Sequence, residues 1–368
     1  MKPWTIRIGR FFGIEVFIHW TFWILLVWIV LLHFRSGSDL SQALWGGLFI
    51  LALFGCVVLH EFGHALTAAR FGVATRDITL YPIGGIASLE EMPERPGQEM
   101  LVALAGPAVN FAIAAILWFY LQLTGQIPGI EALSDPDKMT ELPFFWSLFL
   151  ANLILPIFNL IPAFPMDGGR AFRALLSFWM ERVKATIVAA KLGQLLAILF
   201  VFLGFFYNFW LVFIGLFVYL GAGGEVAHER MKTELSGLTV DDASMRKFTL
   251  LRPEEPLSRA VDALLNSQES AFVVLDGDKP VGLLTRNEII RGLAEHGKDA
   301  AVSSFMIREF FTVDSAMPLR EFFKRLIEKN QNIAVVVDKE ENLVGLIDRE
   351  NVEEMLLINE ALKKSRYT

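Results

Sequence analysis

The sequence predicts a polytopic α-helical membrane domain of about six transmembrane helices, followed by a soluble α/β domain. Three observations predict this fold class. Apolar residues make up 54% of the 368 residues, and the mean hydropathy is +0.46. Several stretches reach the roughly 20 apolar residues that a helix needs to cross the hydrocarbon core of a bilayer. Beyond residue 222 the composition changes abruptly, and the rest of the chain is polar enough to be soluble.

Six apolar stretches are the predicted transmembrane helices. Their approximate bounds are 16–34, 44–70, 98–123, 144–164, 186–206 and 209–221. The last stretch is short, so we expect it to pair with the fifth in a tight hairpin that turns at Tyr207-Asn208.

Basic residues gather on one side of the predicted membrane. They precede the first span, follow the second, and lie between the fourth and fifth: Lys2, Arg7, Arg10, Arg70, Arg76, Arg170, Arg173, Arg182 and Lys184. The other side is mainly acidic, with Asp39, Glu131, Asp135, Asp137, Lys138 and Glu141. Because loops rich in lysine and arginine stay in the cytoplasm, we expect a cell-membrane protein whose termini and soluble domain are cytoplasmic.

A short segment at 77–89, between the second and third spans, is rich in β-branched residues. Pro82 and Gly84-Gly85 interrupt it, so it is too short and too broken to span a bilayer. The pattern predicts an extended β-hairpin. Two placements fit: a re-entrant segment that lines a watery cavity, where its amides are satisfied, or a cytoplasmic surface loop.

Charge and cysteine content limit the function classes. A net charge of −7 argues against nucleic acid as the main partner, because such binding surfaces need clustered lysine and arginine. The single cysteine, Cys56, cannot form an intramolecular disulfide. It lies one helical turn before His60, where it could approach a metal, although a small buried apolar role is the ordinary expectation.

The second predicted span contains the motif H-E-x-x-H, at His60-Glu61-Phe62-Gly63-His64. Residues four apart lie one turn above each other on a helix, so both imidazoles can reach one metal ion. Glu61 beside them is placed to take a proton from a water molecule at that ion. An ionisable group in an apolar span costs about 2.5–3.5 kcal/mol on the insertion scale, so this cluster needs a compensating partner. The alternative is that these residues are hydrogen-bonding groups that pack helices together.

A catalytic zinc ion takes three protein ligands and keeps one open position. Asp167, after the fourth span, is the candidate third ligand. Pro162 and Pro165 break the helix there, and Gly168-Gly169 would let the backbone turn sharply. A helix-terminating Asp-Gly-Gly turn is the alternative that spacing alone leaves open.

H-E-F-G-H, followed in a later span by N-L-I-P-A-F-P-M-D-G-G, resembles the site-2 protease family of intramembrane zinc metalloproteases. G-P-A-V-N in the third span matches another element of that family, and the resemblance covers roughly residues 1–222. It implies His60, His64 and Asp167 as zinc ligands and Glu61 as general base. It also implies that Asn159 orients the substrate backbone or the oxyanion. The expected reaction is hydrolysis of peptide bonds in or near transmembrane segments of membrane-anchored proteins.

The soluble portion contains an internal repeat. Phe248-Thr249 recurs as Phe311-Thr312, and the stretch 271–282 (AFVVLDGDKPVG) recurs as 333–345 (IAVVVDKEENLVG). Each copy predicts strand, helix, strand, turn, strand, helix. This repeat resembles a tandem pair of CBS modules. The expected domains are therefore a membrane metalloprotease domain, a linker, a first CBS module, and a second module with the C-terminal tail, at 1–222, 223–238, 239–300 and 301–368.

Tandem CBS pairs often bind adenine nucleotides such as ATP, ADP or AMP, and a usual ribose-binding signature is Gly-x-x-Thr/Ser-x-x-Asp. The first copy keeps Thr285 and offers Asn287 or Glu288 near the acidic position, whereas the second has Asp348 where the hydroxyl would be. The resemblance therefore implies a nucleotide site. The departures leave a structural or dimerising role, with a homodimer formed through the CBS modules, as the alternative.

Two other function classes fit parts of the pattern. A CBS-regulated membrane ion transporter would also join spans to a CBS pair, but transport has no reason to place a general base between two metal ligands. A metal-binding receptor without activity would not need an intact Glu61. The expected partners are a membrane-spanning protein substrate and the lipid bilayer.

Overall fold

In a computed structural model of the protein, the described residues are 4–35, 40–82, 84–89, 92–128, 143–266, 269, 271–329 and 331–365. The acidic loop residues used above to orient the membrane, Asp39 and those between 131 and 141, lie outside these ranges. The chain divides into two compact units, Met1–Glu229 and Arg230–Thr368, and the boundary falls inside the predicted linker.

The first unit combines one sheet with a group of helices. Its strands are β1 (Thr5–Phe11), β2 (Ile14–His19), β3 (Thr75–Tyr81) and β4 (Gly84–Leu89). Its helices are α1 (Thr21–Arg35), α2 (Leu40–Ala69), α3 (Pro96–Thr124), α4 (Phe144–Asn159), α5 (Asp167–Leu176), α6 (Arg182–Phe206) and α7 (Trp210–Glu234), the last of which ends in the second unit.

The sheet has the order β1-β2-β3-β4. β3 and β4 form an antiparallel hairpin in which Tyr81 pairs with Gly84, at the segment where the sequence predicts one. The predicted first span begins too early, because Val16 lies in β2 and pairs in parallel with Ile78 of β3. Ile14, Val16 and Ile78 pack with Phe62 of α2, and this apolar core holds the sheet against the helix that carries H-E-x-x-H.

Four helices in the described parts of the chain are long and apolar enough to cross a membrane: Ser41–Ala69, Pro96–Thr124, Arg182–Phe206 and Trp210–Glu234. Two shorter apolar helices, Thr21–Leu32 and Phe144–Asn159, fall where the first and fourth spans are predicted. The last helix differs from the prediction, since α7 continues through Gly221 to Glu234 instead of ending there. A Cβ atom at Gly221 would lie 2.7 Å from Pro165 Cδ, so this glycine permits close packing and is not a hinge.

Two of the basic residues from which the membrane orientation was predicted form ion pairs with glutamates of other helices. Arg173 and Arg182 join a network with Glu99, Glu225 and Glu229, contributed by α3, α5, α6 and α7. Both side chains are therefore ion-paired within the protein.

The second unit contains the repeat. Its elements are α8 (Val240–Ala243), β5 (Leu250–Leu251), α9 (Leu257–Asn266), β6 (Ala271–Asp276), β7 (Lys279–Thr285), α10 (Arg286–His296), β8 (Thr312–Asp314), α11 (Leu319–Glu328), β9 (Ile333–Val337), β10 (Leu343–Asp348) and α12 (Arg349–Ser365). Both copies therefore have the predicted order of elements. Each forms a three-stranded sheet, and Val273 and Leu283 of one copy share a core with Val335 and Leu346 of the other.

Candidate metal centre

Two histidines of α2 point their ring nitrogens at each other. His60 and His64 are one helical turn apart and buried, and their Nε2 atoms are 3.1 Å from each other. The helical spacing of the H-E-x-x-H motif accounts for this arrangement. α2 therefore supplies two imidazole nitrogens to one point in the protein interior.

Asp167 completes a triangle with these two nitrogens. It is the first residue of α5, and its Oδ2 lies 3.2 Å from both His60 Nε2 and His64 Nε2. Among the residues that the structure describes, these three form the group of His, Cys, Asp or Glu side chains able to hold a metal ion. Ligands on a tetrahedral zinc ion lie about 3.3 Å apart when each bond is about 2.0–2.1 Å. The triangle therefore has the dimensions of a metal site.

The hydrogen bonds of the two Nδ1 atoms, on the side of each imidazole away from Asp167, also support a metal site. His60 Nδ1 donates to Asn110 Oδ1 at 2.5 Å, and His64 Nδ1 donates to the Val102 carbonyl oxygen at 2.7 Å. With each ring proton on Nδ1, the two Nε2 atoms present lone pairs toward the carboxylate of Asp167. Three electron-pair donors thus converge on one point, and metal-binding histidines typically have such hydrogen-bond partners on their other ring nitrogen.

Close packing of α2 on α3 makes this arrangement possible. A Cβ atom at Gly63 would lie 2.8 Å from the Ala105 carbonyl oxygen. A Cβ atom at Gly106 would lie 2.6 Å from His60 Nε2 and closer still to His64 Nε2. Only glycine leaves room here for the helices and the imidazoles together.

The two glycines after Asp167 have a different role from the one predicted. Gly168 and Gly169 lie inside α5 and do not form a sharp turn. A Cβ atom at Gly169 would lie 2.6 Å from the Ala163 carbonyl carbon, and one at Gly168 would overlap the Leu160 carbonyl group. Their missing side chains let α5 fold back onto the chain that leads into it, which brings Asp167 to the histidines.

Glu61 lies beside the β-hairpin. A Cβ atom at Gly85 of β4 would be 2.8 Å from Glu61 Cγ and 3.3 Å from Glu61 Oε1. The carboxyl group that follows His60 in the motif therefore packs directly against the backbone of β4. β4 is the last strand in the sheet order, so its other edge has no strand partner within this sheet.

The other two predicted residues of this unit lie on α4 and α2. Asn159 is the last residue of α4 and is partly buried. Cys56 is buried and hydrogen-bonds to Asn152, and it does not belong to the metal-binding group. The sequence analysis did not include Asn152 among the site residues, although a polar side chain in an apolar helix is a signal for function.

The two candidate nucleotide residues occupy equivalent places in the CBS repeat. Thr285 ends β7 and donates its hydroxyl hydrogen to Glu288 in the first turn of α10. Asp348 ends β10 and accepts from the Asn351 backbone N–H at 2.8 Å in the first turn of α12. The Asp348 side chain therefore caps α12, whereas the Thr285 side chain bonds to another side chain and makes no cap hydrogen bond to the backbone of α10.

Comparison with known proteins agrees with these features. The model of peptidase family M50 matches residues 48–203, and the CBS-domain model matches 240–295 and 302–357. A zinc metalloprotease of Methanocaldococcus jannaschii is 30% identical over 361 residues, which cover 98% of this chain and 99% of the relative. A solved site-2 protease from the same organism is 37% identical and has a TM-score of 0.44, covering 60% of this chain and 95% of that one. These matches favour a metalloprotease over the alternative of a CBS-regulated membrane ion transporter. The chain belongs to peptidase family M50, the site-2 protease family, and is a membrane metalloprotease that carries a pair of CBS domains.

Proposed function

We propose that His60, His64 and Asp167 hold one zinc ion and that Glu61 is the general base of peptide-bond hydrolysis. The convergence of three electron-pair donors within 3.2 Å carries this proposal. The description of the Methanocaldococcus jannaschii relative as a zinc metalloprotease supports zinc as the metal. Two imidazoles and one carboxylate are also a common ligand set of catalytic zinc, with the fourth position left open.

Each group at this site has its own role in the proposed reaction. Zinc, when bound, polarises the scissile carbonyl group and makes water a better acid. Glu61 accepts the proton of the attacking water and returns it to the leaving amine nitrogen as the C–N bond breaks. Asn159 orients the substrate backbone or the developing oxyanion. His60 and His64 donate their Nδ1 protons to the Asn110 side-chain oxygen and the Val102 carbonyl oxygen, so that Nε2 is the nitrogen each ring offers to the metal.

The substrate in this proposal is a membrane-anchored protein cut in or near its transmembrane segment. A helix hides its amides in internal hydrogen bonds, so the scissile stretch must be extended before water can attack it. β4 offers an edge for such a stretch, as sheets do when they accept a peptide as an added strand. The contact between Gly85 and Glu61 places this edge next to the proposed base, which supports a re-entrant role for the hairpin.

The strand-addition step has a test based on alternation. Successive residues of a β-strand direct their backbone N–H groups to opposite edges of the strand. Of Ala87 and Ser88, one therefore directs its N–H group toward β3 and the other directs it toward the open edge of β4. Proline at the position facing the open edge removes a bond to substrate without removing one to β3. We expect that variant to lose cleavage and to stay folded. If proline at the position facing the open edge left cleavage intact in folded protein, the strand-addition step would be wrong.

The central experiment measures zinc content and cleavage together. Purified wild type and Glu61→Gln are assayed in detergent for bound zinc and for cutting of a single-span test substrate. We expect zinc in both proteins and cleavage by the wild type alone. Properly folded wild type that contains no zinc would contradict the assignment of the ligands. Cleavage by Glu61→Gln at the wild-type rate would contradict the role of the base.

The proposed topology has six spans, made of the four long helices and the two shorter apolar ones, with both termini and the CBS pair in the cytoplasm of a cell-membrane protein. An even number of spans and the basic residues Arg70 and Arg76 after α2 support this orientation. Single cysteines placed near the helix ends of a Cys56→Ala variant report the topology. Labelling of the C-terminal region by an impermeant reagent added outside intact cells would contradict it.

We further propose that the CBS pair, comprising modules at 239–300 and 301–368 after a linker at 223–238, binds an adenine nucleotide and modulates proteolysis. Thr285 and Asp348 are the candidate ligands, and their matching places in the repeat support a paired site. Titration calorimetry with ATP, ADP and AMP tests binding, and Thr285→Val with Asp348→Asn should weaken it. Absence of binding would favour dimerisation, which the mass of the purified protein measures.

A further inference from the structure

A chain of amide hydrogen bonds leads away from the metal centre through three helices. His60 Nδ1 on α2 donates to Asn110 Oδ1 on α3 at 2.5 Å. Asn110 Nδ2 donates to Asn152 Oδ1 on α4 at 2.8 Å, and Asn152 Nδ2 donates to the Leu148 carbonyl oxygen at 2.9 Å. Asn110 is 2% exposed and Asn152 is fully buried, so water does not compete for these groups.

The chain has a fixed direction because it ends on a backbone carbonyl. The Leu148 carbonyl oxygen can only accept, so the Asn152 amide must turn its NH₂ group toward it and its oxygen toward Asn110. Asn110 must then donate its NH₂ group to Asn152 and turn its own oxygen toward His60. An oxygen facing His60 Nδ1 requires the proton of the imidazole to lie on Nδ1. The Nε2 atom is consequently free to bind a metal.

We infer that Asn152 is a positioning residue of the metal site, which acts through Asn110 to set the tautomer and the orientation of His60. The inference rests on the proposed zinc site, and it adds a residue whose hydrogen bonds go to Asn110, Leu148 and Cys56. Without the oxygen of Asn152, the Asn110 amide can rotate by half a turn and present its NH₂ group to His60. Nδ1 would then accept, the proton would move to Nε2, and a protonated Nε2 cannot bind zinc.

The direct carbonyl bond of His64 offers an internal contrast. Val102 supplies a backbone oxygen that cannot rotate, so His64 needs no further residue to fix its tautomer. His60 is bonded to a side-chain amide that has two orientations, so its tautomer depends on the next residue along the chain. This difference explains why a buried amide is needed on α4 behind one histidine and not behind the other.

A plain packing role for Asn152 is the alternative, because the same bonds join α2, α3 and α4. A packing role and a positioning role for Asn152 predict different measurable effects. Loss of packing lowers the stability of the metal-free protein. Loss of the directed chain lowers the affinity for zinc, and outer hydrogen-bond partners of metal ligands typically change affinity by about 10–100-fold.

The experiment compares zinc affinity, measured by competition with a chelator, and thermal unfolding of the metal-free protein. The variants are Asn152→Leu, which removes the accepting oxygen, and Asn152→Asp. In this buried site the Asp side chain is neutral, so it keeps the accepting oxygen and a hydroxyl donor for the Leu148 carbonyl oxygen. Leu148→Ala is the packing control, since it empties a buried site on the same helix and retains the backbone carbonyl group. Asn110→Leu tests the next link, and it serves in place of Asn152→Leu if that variant does not fold.

We expect Asn152→Leu to bind zinc about 10–100-fold more weakly and Asn152→Asp to stay close to the wild type. Leu148→Ala should unfold at a lower temperature with unchanged zinc affinity. Unchanged affinity in Asn152→Leu, or an equal loss in Leu148→Ala, would overturn the inference while leaving the zinc site intact. A wild type that binds no zinc would instead overturn the proposed function, so the two failures are distinct.

Discussion

Arg173 and Glu99 form an ion pair at 2.6 Å in which both side chains are almost completely buried, at 1% and 0% exposed. Arg173 also donates to Glu225 at 2.6 Å, and Arg182 bonds to both Glu99 and Glu229. The pair joins α3 to α5, and α5 begins with Asp167. The network therefore fixes the helix that carries the third proposed metal ligand.

Removing the positive charge of this pair should strongly destabilise the protein. Arg173→Met leaves the buried Glu99 carboxylate with Arg182 as its remaining ion-pair partner and removes the arginine bonded to Glu225. Breaking a buried pair costs about 3–5 kcal/mol. Unfolding in detergent, followed by the loss of helical signal with added denaturant, measures the change. Because α5 loses its anchor, we also expect weaker zinc binding.

The control is an exposed pair in the same region. Lys184 and Glu181 lie 3.1 Å apart with side chains 68% and 76% exposed. Lys184→Met should change the free energy of unfolding by less than about 1 kcal/mol. Equal effects of the two substitutions would show that the buried network has no special role in stability.

A methyl group at Gly106 should remove the metal. The added Cβ atom of Gly106→Ala would occupy the space of His60 Nε2 and His64 Nε2, so at least one imidazole must move away. We expect zinc content of purified protein to fall at least about 10-fold, together with cleavage. Gly55→Ala on α2 is the matched control, because nothing lies within 4 Å of its added atom. Full zinc content in Gly106→Ala would argue against the three-residue site.

A methyl group at Gly85 should lower activity without removing the metal. The added atom of Gly85→Ala would lie 2.8 Å from Glu61 Cγ and would displace the general base or β4, while the metal ligands stay in place. Misplacing a catalytic group by about 1 Å can cost about 100-fold in rate. We therefore expect kcat to fall with zinc retained. A variant that loses zinc and activity together would indicate that Gly85 supports the metal site instead.

The soluble unit should show a small pH-dependent contribution from Asp242. The Thr239 backbone N–H and hydroxyl donate to its carboxylate at 2.7 and 2.9 Å, and these bonds hold the pKa of Asp242 below its ordinary value. A lowered folded-state pKa stabilises the protein above the unfolded value of about 3.9. This stability is lost as the pH falls through the folded-state pKa.

Asp242→Asn should therefore weaken the capping box at Val240–Ala243 at pH 7 and converge with the wild type as the pH falls below the folded-state pKa of Asp242. The effect should stay below about 1 kcal/mol because the carboxylate is exposed and screened by water. Hydrogen exchange of these amides in both proteins, compared at each pH, measures it. Asp278→Asn, in the turn between β6 and β7, is the control. A difference between Asp242→Asn and wild type that showed no decrease at any pH below 3.8 at which the protein stays folded would contradict this origin.

Local patterns predicted much of the architecture for physical reasons. A helix repeats every 3.6 residues, so the spacing of His60 and His64 places both on one face. The broken, β-branched segment before α3 predicted a hairpin, and the duplicated stretches at 271–282 and 333–345 predicted one folding unit used twice. These signals depend on residues close in sequence or on direct repetition.

Other features could not be read from local patterns. The predicted first span included Val16, which pairs instead with Ile78, because strand pairing between distant segments overrides apolar composition. Arg173 and Arg182 were counted as cytoplasmic loop charges, yet Glu99, Glu225 and Glu229 neutralise them from other helices. Their partners are separated from them by long stretches of chain.

The amino-acid sequence by itself determined the membrane-spanning composition, the metal-ligand spacing on α2, the family and the CBS repeat. Tertiary structure alone decided that Asp167 meets the two histidines at 3.2 Å and that Gly85 touches Glu61. It also decided that Asn152 stands behind Asn110. The physical reason is packing: glycines at 63, 106, 168 and 169 let backbones approach closely, and that approach joins groups which the chain keeps far apart.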